Sequence, residues 1–424
     1  MRKSGTAPRM FALAGVVVLS VAMTGCSTGG ASGGAKNSGG GTTSIVSSTS
    51  APEQAVIKLF EKKYAGAKVT DTTAPAATYS QVVTTQLAGG SAADIIRAYP
   101  GNGSNLSVVQ ATKKGFYGDL SGLSFVNKIP SSLRSVLLSS SGKVSGVPVT
   151  TSAIGGVYNM KVLKDVGATV PQTWDGVLQY CSKVKAAGKV PYGLGLKDSW
   201  TGQFVPYALS ATLLPATFSK QQSAGTATFA NSAWRTVFTK YLQMKNAGCF
   251  SPQPNGTSYA NVEDQLANGS TAGSVTLTDT IGDVKKINTS ADMQFAALPA
   301  TNSASQTKLS DGIGVVLALN AKAKDPATAK KLLNFFSTPA AQAAYSKAAG
   351  TLPALNSGDA FSSDVVNKTV SSYTSKDMVA SWPDQSWPNP NVQQVHFTAV
   401  QGLFAGTMSV TKVLAALDKA YSGK

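Results

Sequence analysis

The sequence of 424 residues contains little charge and a single histidine. Charged residues make up 13% of the chain, and His396 is its one histidine. One imidazole excludes a multi-histidine metal site and most histidine-based triads. The sequence has no Gly-x-Ser-x-Gly elbow and no Gly-x-x-x-x-Gly-Lys-Ser/Thr phosphate loop. We therefore expect no enzyme, no metal site and no cofactor, and we interpret His396 as structural.

Two weak patterns keep a hydrolase as a less favoured alternative. Residues Ser140–Lys143 and Ser182–Lys185 match Ser-x-x-Lys, but no convincing Ser-Asp-Asn partner or later Lys-Thr-Gly follows. A pair of carboxylates that hydrolyses glycosides has no fixed spacing in sequence. A secreted hydrolase and a purely structural lipoprotein therefore stay open as minor hypotheses.

The chain is basic, with a formal net charge of +17. Its lysines and arginines are scattered singly or in pairs, without a run of five or six and without interleaved aromatic residues. A nucleic-acid-binding surface usually concentrates its basic residues in a patch or stripe. We therefore predict a solvated basic surface and no nucleic-acid partner.

The first residues have the features of an export signal. Arg2, Lys3 and Arg9 precede an apolar run from Phe11 to Met23, which is too short to span a membrane stably. The following Met23-Thr24-Gly25-Cys26 resembles a bacterial lipobox, in which the cysteine is lipid-modified. We predict a signal peptide over residues 1–25 and a lipidated Cys26 followed by a flexible Gly/Ser-rich linker, together residues 26–42. The expected location is the outer face of the cell membrane.

Two other cysteines remain, Cys181 and Cys249. Outside the cell they could form a disulfide, and buried free thiols are the alternative.

Strand and helix patterns alternate along the rest of the chain. The residue pattern predicts strands over 43–48, 67–70 and 94–98. Apolar residues at helical spacing follow a predicted capping box at Ser50–Glu53. Further strands are predicted over 190–196, 273–277 and 313–319. Further helices are predicted over 79–87 and 233–247, after Asp325, and at the C-terminal end of the chain. The alternation predicts an α/β protein with mainly parallel strand pairing.

Several short segments resemble the motifs of a known family and occur in the same order along the chain. Phe60-Glu-Lys-Lys-Tyr64, Tyr158-Asn159 and Pro171-Gln-Thr-Trp174-Asp175 are the most recognisable of them. Over about residues 43–421 the chain resembles the family 1 extracellular solute-binding proteins of ABC importers, the maltose-binding-like group. A tryptophan that this group often carries near the ligand is absent from residues 270–279.

The resemblance implies a two-lobed periplasmic-binding-protein-like fold of type II, with crossing strands as the hinge. We assign residues 43–153 and 314–340 to lobe 1, and residues 154–313 and 341–424 to lobe 2. It also implies a binding protein that closes on its ligand and is recognised by the transmembrane subunits of an ABC permease. We expect the protein to be a monomer. Trp174 and Tyr158 match family motifs and are interpreted as structural.

A sugar is the expected ligand, because aromatic rings stack on sugar faces and polar groups bind the hydroxyls. Tyr99 and Asn102 are candidates because loops at the carboxyl ends of parallel strands point toward ligands. The full set of predicted ligand-binding residues is Trp200, Trp382, Trp387, Tyr99, Asn102, Tyr79, Thr151, Asp279 and Asp311. The alternative ligand is another solute, such as a polyamine, a peptide or a metal chelate.

Overall fold

A computed structural model of the protein describes residues 40–76, 78–129, 131–355 and 364–423. The predicted signal peptide, Cys26 and most of the predicted linker lie outside the described residues. The strands are β1 Thr42–Ser47, β2 Lys68–Thr73, β3 Ile95–Ala98, β4 Val147–Asn159, β5 Val190–Gly193, β6 Thr271–Leu277, β7 Met293–Ala296, β8 Leu309–Leu319, β9 Leu352–Pro353 and β10 Val379–Ser381.

The α-helices separate and follow these strands, as the alternating sequence pattern predicts. They are α1 Ala51–Lys63, α2 Tyr79–Gly89, α3 Val108–Lys113, α4 Ser131–Arg134, α5 Met160–Asp165, α6 Trp174–Ala186, α7 Phe204–Leu213, α8 Phe218–Ser223, α9 Trp234–Asn246, α10 Tyr259–Asn268, α11 Thr280–Ile287, α12 Pro326–Phe336, α13 Pro339–Ala349, α14 Asp364–Thr374, α15 Pro390–Ala405 and α16 Val410–Ser422.

One sheet runs through the fold, in the order β2-β1-β3-β8-β4-β6-β5. β1 pairs in parallel with β2 and β3, and β5 pairs in parallel with β6. The two longest strands, β4 and β8, pair with each other antiparallel at the centre. β8 also pairs antiparallel with β3, and β4 pairs antiparallel with β6, β7 and β9. The prediction of mainly parallel pairing is therefore wrong, because the two crossing strands pair antiparallel with most of their neighbours.

Two hydrophobic regions lie on either side of this crossing. The first lobe, residues 42–149 and 313–355, has a core that includes Ile45, Phe60 and Phe336. The second lobe, residues 153–309 and 364–420, has its cores on the sheet and among α6, α7, α9, α15 and α16. Within the described residues, these buried clusters extend from Ile45 to Ala420.

The last part of the first lobe extends past the predicted lobe boundary at residue 340. Tyr345, on α13, is buried in the first core and its hydroxyl donates to Glu53 on α1 at 2.9 Å. By this packing α13 belongs with the first lobe.

The predicted capping box at the start of α1 does not form. The helix begins at Ala51, but the Ser50 hydroxyl donates to Asp71 at 2.5 Å and makes no cap bond. The Glu53 carboxylate accepts from the Tyr345 hydroxyl and from its own backbone amide. The predicted cap of α12 does form, with the Asp325 carboxylate accepting from the Thr328 amide.

A disulfide joins Cys181 on α6 to Cys249 after α9. Both cysteines are fully buried in the second lobe. The bond therefore ties the two helical layers of that lobe across 68 residues of sequence.

Candidate functional site

The two lobes meet where β4 and β8 cross. Thr151 pairs with Ile313, Ser152 with Gly312 and Ala153 with Asp311. Thr151 is half-buried at this point and also pairs with Leu352 of β9. Side chains of the crossing strands therefore stand between the two lobes, where a ligand of a two-lobed protein is held.

On the first lobe, the carboxyl ends of β1 and β3 form this junction. The Tyr79 hydroxyl lies 3.0 Å from the Val46 carbonyl oxygen and 2.8 Å from that of Arg97. Tyr79 is fully buried, so it joins the two strand ends inside the first core and does not reach the junction. Its contribution to a site is to hold the strand that carries Arg97 and Tyr99.

Arg97 is the cationic group of the junction, and the sequence analysis missed it. Its guanidinium donates to the Ser48 hydroxyl, and it lies within electrostatic reach of Glu53 and, across the lobes, of Asp279. Burial raises the pKa of Glu53, an effect that Arg97 opposes. One signal could have identified it: Arg97 is an arginine inside a strand that is otherwise buried and apolar.

On the second lobe, Asp279 sits at the end of β6 and faces the crossing. Ser152 of β4 donates to the Asp279 carboxylate at 2.6 Å, and the Ser152 hydroxyl lies 3.0 Å from that of Thr278. Burial raises the pKa of Asp279, opposed by the hydrogen bond from Ser152. The carboxyl group is therefore oriented by β4 and has no ion pair within 4 Å among the described residues.

Near Asp279 lies a group of aromatic side chains, Trp200, Phe204 and Tyr259, which we call the aromatic wall. Trp200 is half-buried in the 3₁₀ helix Ser199–Gln203, with its ring 5.0 Å from that of Tyr259 and 5.4 Å from that of Phe204. The Tyr259 hydroxyl lies 2.5 Å from that of Thr280, the residue after Asp279. Trp200 is thus fixed by two aromatic neighbours and keeps part of its surface free. Tyr259 was not among the predicted site residues.

The segment Trp382–Pro388, which we call the tryptophan segment, adds a second indole. Trp382 is half-buried, its ring packs on Gly312 of β8, and its indole N–H has no partner among the described residues. Gln385 fixes the segment by donating to the Ile313 carbonyl oxygen at 3.1 Å. A buried N–H without a partner costs free energy unless water or a ligand accepts its hydrogen bond.

Trp387, the other predicted tryptophan of this segment, has a different environment. It is 1% exposed in the second core, with its ring 6.0 Å from those of Tyr207 and Phe229 and 5.8 Å from that of His396. The 3₁₀ helix Pro383–Ser386 turns the chain between the two tryptophans, so one indole lies at the junction and the other in the core.

Two carboxyl groups, Asp311 on β8 next to the tryptophan segment and Asp384 within that segment, have pKa values well above the usual range. Burial raises the pKa of Asp311 and that of Asp384 to about 7. Asp311 accepts from the Gly312 amide at 2.9 Å. The Asp384 carboxyl group interacts with the buried Tyr207 hydroxyl, which opposes the effect of burial on the Asp384 pKa. Gln393 joins Asp384 to Gln203, so the tryptophan segment is tied to the 3₁₀ helix of Trp200. Asp384 was missed because an aspartate in a Pro-rich loop resembles an ordinary turn residue.

The first lobe contacts the tryptophan segment directly. The Asn102 side-chain amide donates to the Pro388 carbonyl oxygen, and Gln110 donates to Asn102 at 2.7 Å. A Cβ atom on Gly103 would lie 2.7 Å from the Asp384 carbonyl oxygen. The two lobes are therefore in close contact here, and Asn102 serves this contact.

The predicted site residues thus separate into groups. Trp200, Trp382, Tyr99, Thr151, Asp279 and Asp311 lie at or beside the junction, Asn102 bridges the lobes, and Tyr79 and Trp387 lie in the cores. Among the described residues no group of three or more His, Cys, Asp or Glu side chains could hold a metal ion. The arrangement suits a neutral or weakly charged solute rich in hydroxyl groups, since it offers aromatic faces, acceptors and one guanidinium.

Comparisons with known proteins agree with this geometry. A family model described as bacterial extracellular solute-binding protein matches residues 44–343. A multiple sugar-binding protein of Streptococcus mutans is 28% identical over 146 residues, which are 34% of this chain and 33% of that protein. The match thus spans only a third of that relative's length.

Solved structures resemble the whole fold. A sugar transporter protein of Bacillus licheniformis in complex with stachyose has a TM-score of 0.72 at 18% identity, over 90% of this chain and 99% of its own. The GacH receptor of Streptomyces glaucescens, solved unliganded and with acarbose, has a TM-score of 0.75 at 16% identity, over 91% and 98%. The predicted two-lobed fold with crossing strands is confirmed.

Proposed function

We propose, since the chain belongs to the family of bacterial extracellular solute-binding proteins, that it captures a carbohydrate between its lobes and delivers it to an ABC permease. The family consists of binding proteins, and delivery to a permease is its general role. Sugar complexes of proteins with the same fold, and the sugar-binding name of the Streptococcus mutans relative, support a carbohydrate as the ligand.

The proposal rests on the aromatic and polar side chains that the second lobe places at the junction. Trp200, braced by Tyr259, offers an apolar ring face for the C–H surface of a sugar. The indole N–H of Trp382 has no partner among the described residues and needs an acceptor. A sugar hydroxyl supplies one, because it both donates and accepts.

The acidities of the carboxyl groups favour a neutral ligand. At neutral pH a carboxyl group whose pKa is about 7 is protonated about half of the time. In that state it both donates and accepts, which matches a hydroxyl group. A cation would instead have to draw the group into its charged form and release a proton.

We further propose that the protein is exported, anchored by a lipid on Cys26 and monomeric, and that it does no chemistry on its ligand. Export and lipid anchoring are supported by the Met23-Thr24-Gly25-Cys26 pattern after a basic and apolar leader. The absence of chemistry is supported by membership of a family of binding proteins. No helix within the described residues has the length and hydrophobicity needed to cross a bilayer. Replacing Cys26 with Ser should move the protein from the membrane fraction to the soluble one; unchanged retention would contradict the lipid anchor.

A thermal-shift screen tests the ligand class. The chain from residue 26 onward, carrying Cys26→Ser, is screened against mono- and oligosaccharides, amino acids, peptides and polyamines. A ligand at 100 times its Kd stabilises the folded state by about 2.7 kcal/mol, seen as a shift of a few degrees in Tm. A shift with one sugar class, with the sugar recovered unchanged, supports the proposal; no shift with any sugar overturns it.

A polyamine is the second candidate, favoured by one observation. Asp279, Asp311 and Asp384 have no ion pair within 4 Å among the described residues. Calorimetry in buffers of different ionisation enthalpy separates the two ligands. A polyamine should release protons from the two carboxyl groups with pKa about 7, whereas a neutral sugar should not.

A further inference from the structure

A lysine-rich face surrounds the point where the described chain enters the first lobe. It consists of Lys62 and Lys63 at the end of α1, Lys68 at the start of β2, Lys324 before α12, and Lys330 and Lys331 on α12; we call it the lysine face. Lys62, Lys63, Lys68 and Lys324 are exposed, and Lys330 and Lys331 are half-exposed. This concentration was not evident in the sequence, where the six lysines fall in separate segments.

Direct contacts make these segments one surface. Glu61 on α1 accepts from the Val69 amide of β2 at 3.0 Å, which holds the end of the helix over the strand. The Lys331 and Lys63 ammonium groups lie 3.9 Å and 5.5 Å from the Tyr64 ring centre. The last turn of α1, β2 and α12 therefore present their lysines side by side.

The chain enters the fold in the middle of this surface. The Gly41 carbonyl oxygen accepts from the Lys68 amide at 3.0 Å. Gly41 also packs so closely on the side chains of Asp325 and Thr328 that a Cβ atom would overlap them. The described chain therefore enters the first lobe at the lysine face.

The positive charge of the lysine face is not neutralised by ion pairs. The ion pairs within the described residues are Lys143–Asp119, Lys161–Asp165 and Lys286–Asp283, which all lie elsewhere. Two carboxylates, Glu61 and Asp325, share the surface, and both accept backbone hydrogen bonds. Six ammonium groups beside two carboxylates leave an excess of positive charge.

We propose that the lysine face docks onto an anionic phospholipid membrane and thereby orients the protein. Clustered lysines next to an anionic bilayer are attracted to it, an attraction that falls off within a Debye length. Cys26 lies 14 residues before Gly40 in the sequence, and 14 residues span at most about 50 Å. The proposal rests on the proposed lipid anchor in one respect: a lipid on Cys26 would keep this face within about 50 Å of the bilayer. The proposal goes beyond ligand capture and does not depend on the ligand's identity.

Vesicle co-sedimentation tests the docking without a lipid anchor. The protein is the chain from residue 26 with Cys26→Ser, which lacks the cysteine of the lipid anchor and keeps every residue that the structure describes. It is mixed with vesicles of phosphatidylcholine alone or with phosphatidylglycerol, at low and high salt. We compare Lys62→Gln/Lys68→Gln/Lys324→Gln with Lys220→Gln/Lys412→Gln/Lys419→Gln, three exposed lysines of the second lobe.

Both triple variants remove the same charge, so only the position differs. Each lysine at an anionic surface contributes roughly fivefold to partitioning, so the first triple variant should bind about 100-fold more weakly. The second should retain most of the binding, and high salt should abolish it in all three proteins. Equal losses in the two triple variants would reduce the effect to overall charge and overturn the proposal. So would binding to DNA with the same dependence on Lys62, Lys68 and Lys324 but none to the anionic vesicles.

Discussion

The two lobes contribute different groups to the same junction. The first lobe presents Arg97, the half-buried Tyr99 and a glycine-containing loop that touches the opposite lobe through its backbone. The second lobe presents Trp200, Tyr259 and Trp382, and all five tryptophans of the chain, at 174, 200, 234, 382 and 387, lie in it. Aromatic stacking surface is therefore concentrated on one side of the cleft.

This asymmetry implies a division of roles. Burial of aromatic surface is the larger source of binding free energy, so the second lobe should bind the ligand first and hold it. When the lobes close, the first lobe should add the Arg97 guanidinium and the close backbone contact between Gly103 and Asp384. The second lobe also carries the disulfide, whereas the described part of the first lobe is held by hydrophobic packing and hydrogen bonds. The predictions below test this division.

The largest expected effect is on the stability of the second lobe. Replacing both Cys181 and Cys249 with Ala opens a loop of 68 residues in the unfolded chain. Loop entropy then predicts a loss of about 4 kcal/mol in the free energy of unfolding. Tryptophan fluorescence in a denaturant titration measures it, because the fluorophores lie in the second lobe alone.

The first lobe provides the control for this measurement. Its tyrosines and helices can be followed by circular dichroism, and their transition should move less than that of the tryptophans. Coincident transitions shifted by the same amount would mean that the lobes unfold as one unit, and would remove the asymmetry in stability.

The second effect concerns the aromatic wall. Trp200→Ala should weaken ligand binding by up to about 3 kcal/mol, or roughly 100-fold in Kd, since the variant loses the ring face braced by Tyr259. Titration calorimetry with the ligand found in the screen measures it, and Trp200→Phe should restore part of the loss. Arg97→Gln on the first lobe should cost less. If Arg97→Gln instead weakened binding more than Trp200→Ala, the first lobe would be the main binding surface.

Local sequence patterns predicted the elements but not their long-range partners. The strand at 313–319 and the helix after Asp325 follow from apolar runs and a cap residue, which act over a few positions. The capping box failed because Ser50 bonds Asp71, which is 21 residues away, and Glu53 bonds Tyr345, which is 292 residues away. No local pattern contains that contact, or the antiparallel crossing of β4 and β8.

The candidate site was predicted by residue type more reliably than by position. Trp382 and Trp387 both stand in Ser-Trp-Pro, yet one is half-buried at the junction and the other fully packed in the core. The intervening 3₁₀ helix decides which way each indole points. Arg97 was missed because its strand looked wholly buried, and its function depends on where that strand ends in space.

The third effect is a dependence of second-lobe stability on pH. His396 is fully buried among Tyr207, Trp234, Phe238 and Trp387, and burial lowers its pKa from 6.5 to about 3. Its contribution is complete above pH 6.5 and is lost as the pH falls toward 3, because only the unfolded chain binds the proton in that window. At about pH 5 this predicts a loss of about 2 kcal/mol relative to neutral pH.

Substituting the histidine isolates this contribution. Burial raises the pKa values of Asp311 and Asp384 to about 7, so these groups make the folded state more stable as the pH falls. The effect of His396 is therefore measured as the difference in free energy of unfolding between the wild type and a variant. His396→Phe should lose less stability between neutral pH and about pH 5 than the wild type, by about the same 2 kcal/mol. Phe238→Leu, a non-titrating neighbour, should be destabilised equally at both pH values. Parallel pH profiles for wild type and His396→Phe would mean that His396 is solvated or hydrogen-bonded in solution.

The smallest effect tests how the first lobe acts. If the first lobe contributes mainly by backbone fit, a single methyl group at its contact with the tryptophan segment should impair closure. A Cβ on Gly103 would lie 2.7 Å from the Asp384 carbonyl oxygen, closer than packed atoms allow, whereas one on Gly122 would meet nothing within 4 Å. Gly103→Ala should therefore weaken ligand binding about tenfold, or about 1.4 kcal/mol, with Gly122→Ala unchanged.

The same pair of variants shows whether the loss arises from closure. Small-angle scattering should record a smaller decrease in the radius of gyration of Gly103→Ala on saturation with ligand, while its thermal stability without ligand stays near that of Gly122→Ala. Full compaction and unchanged affinity in Gly103→Ala would mean that the contact between Gly103 and Asp384 can shift at no cost. The first lobe would then contribute through the Arg97 side chain and not through its backbone contacts. Both lobes would bind the ligand through side chains, and the proposed division of roles would be wrong.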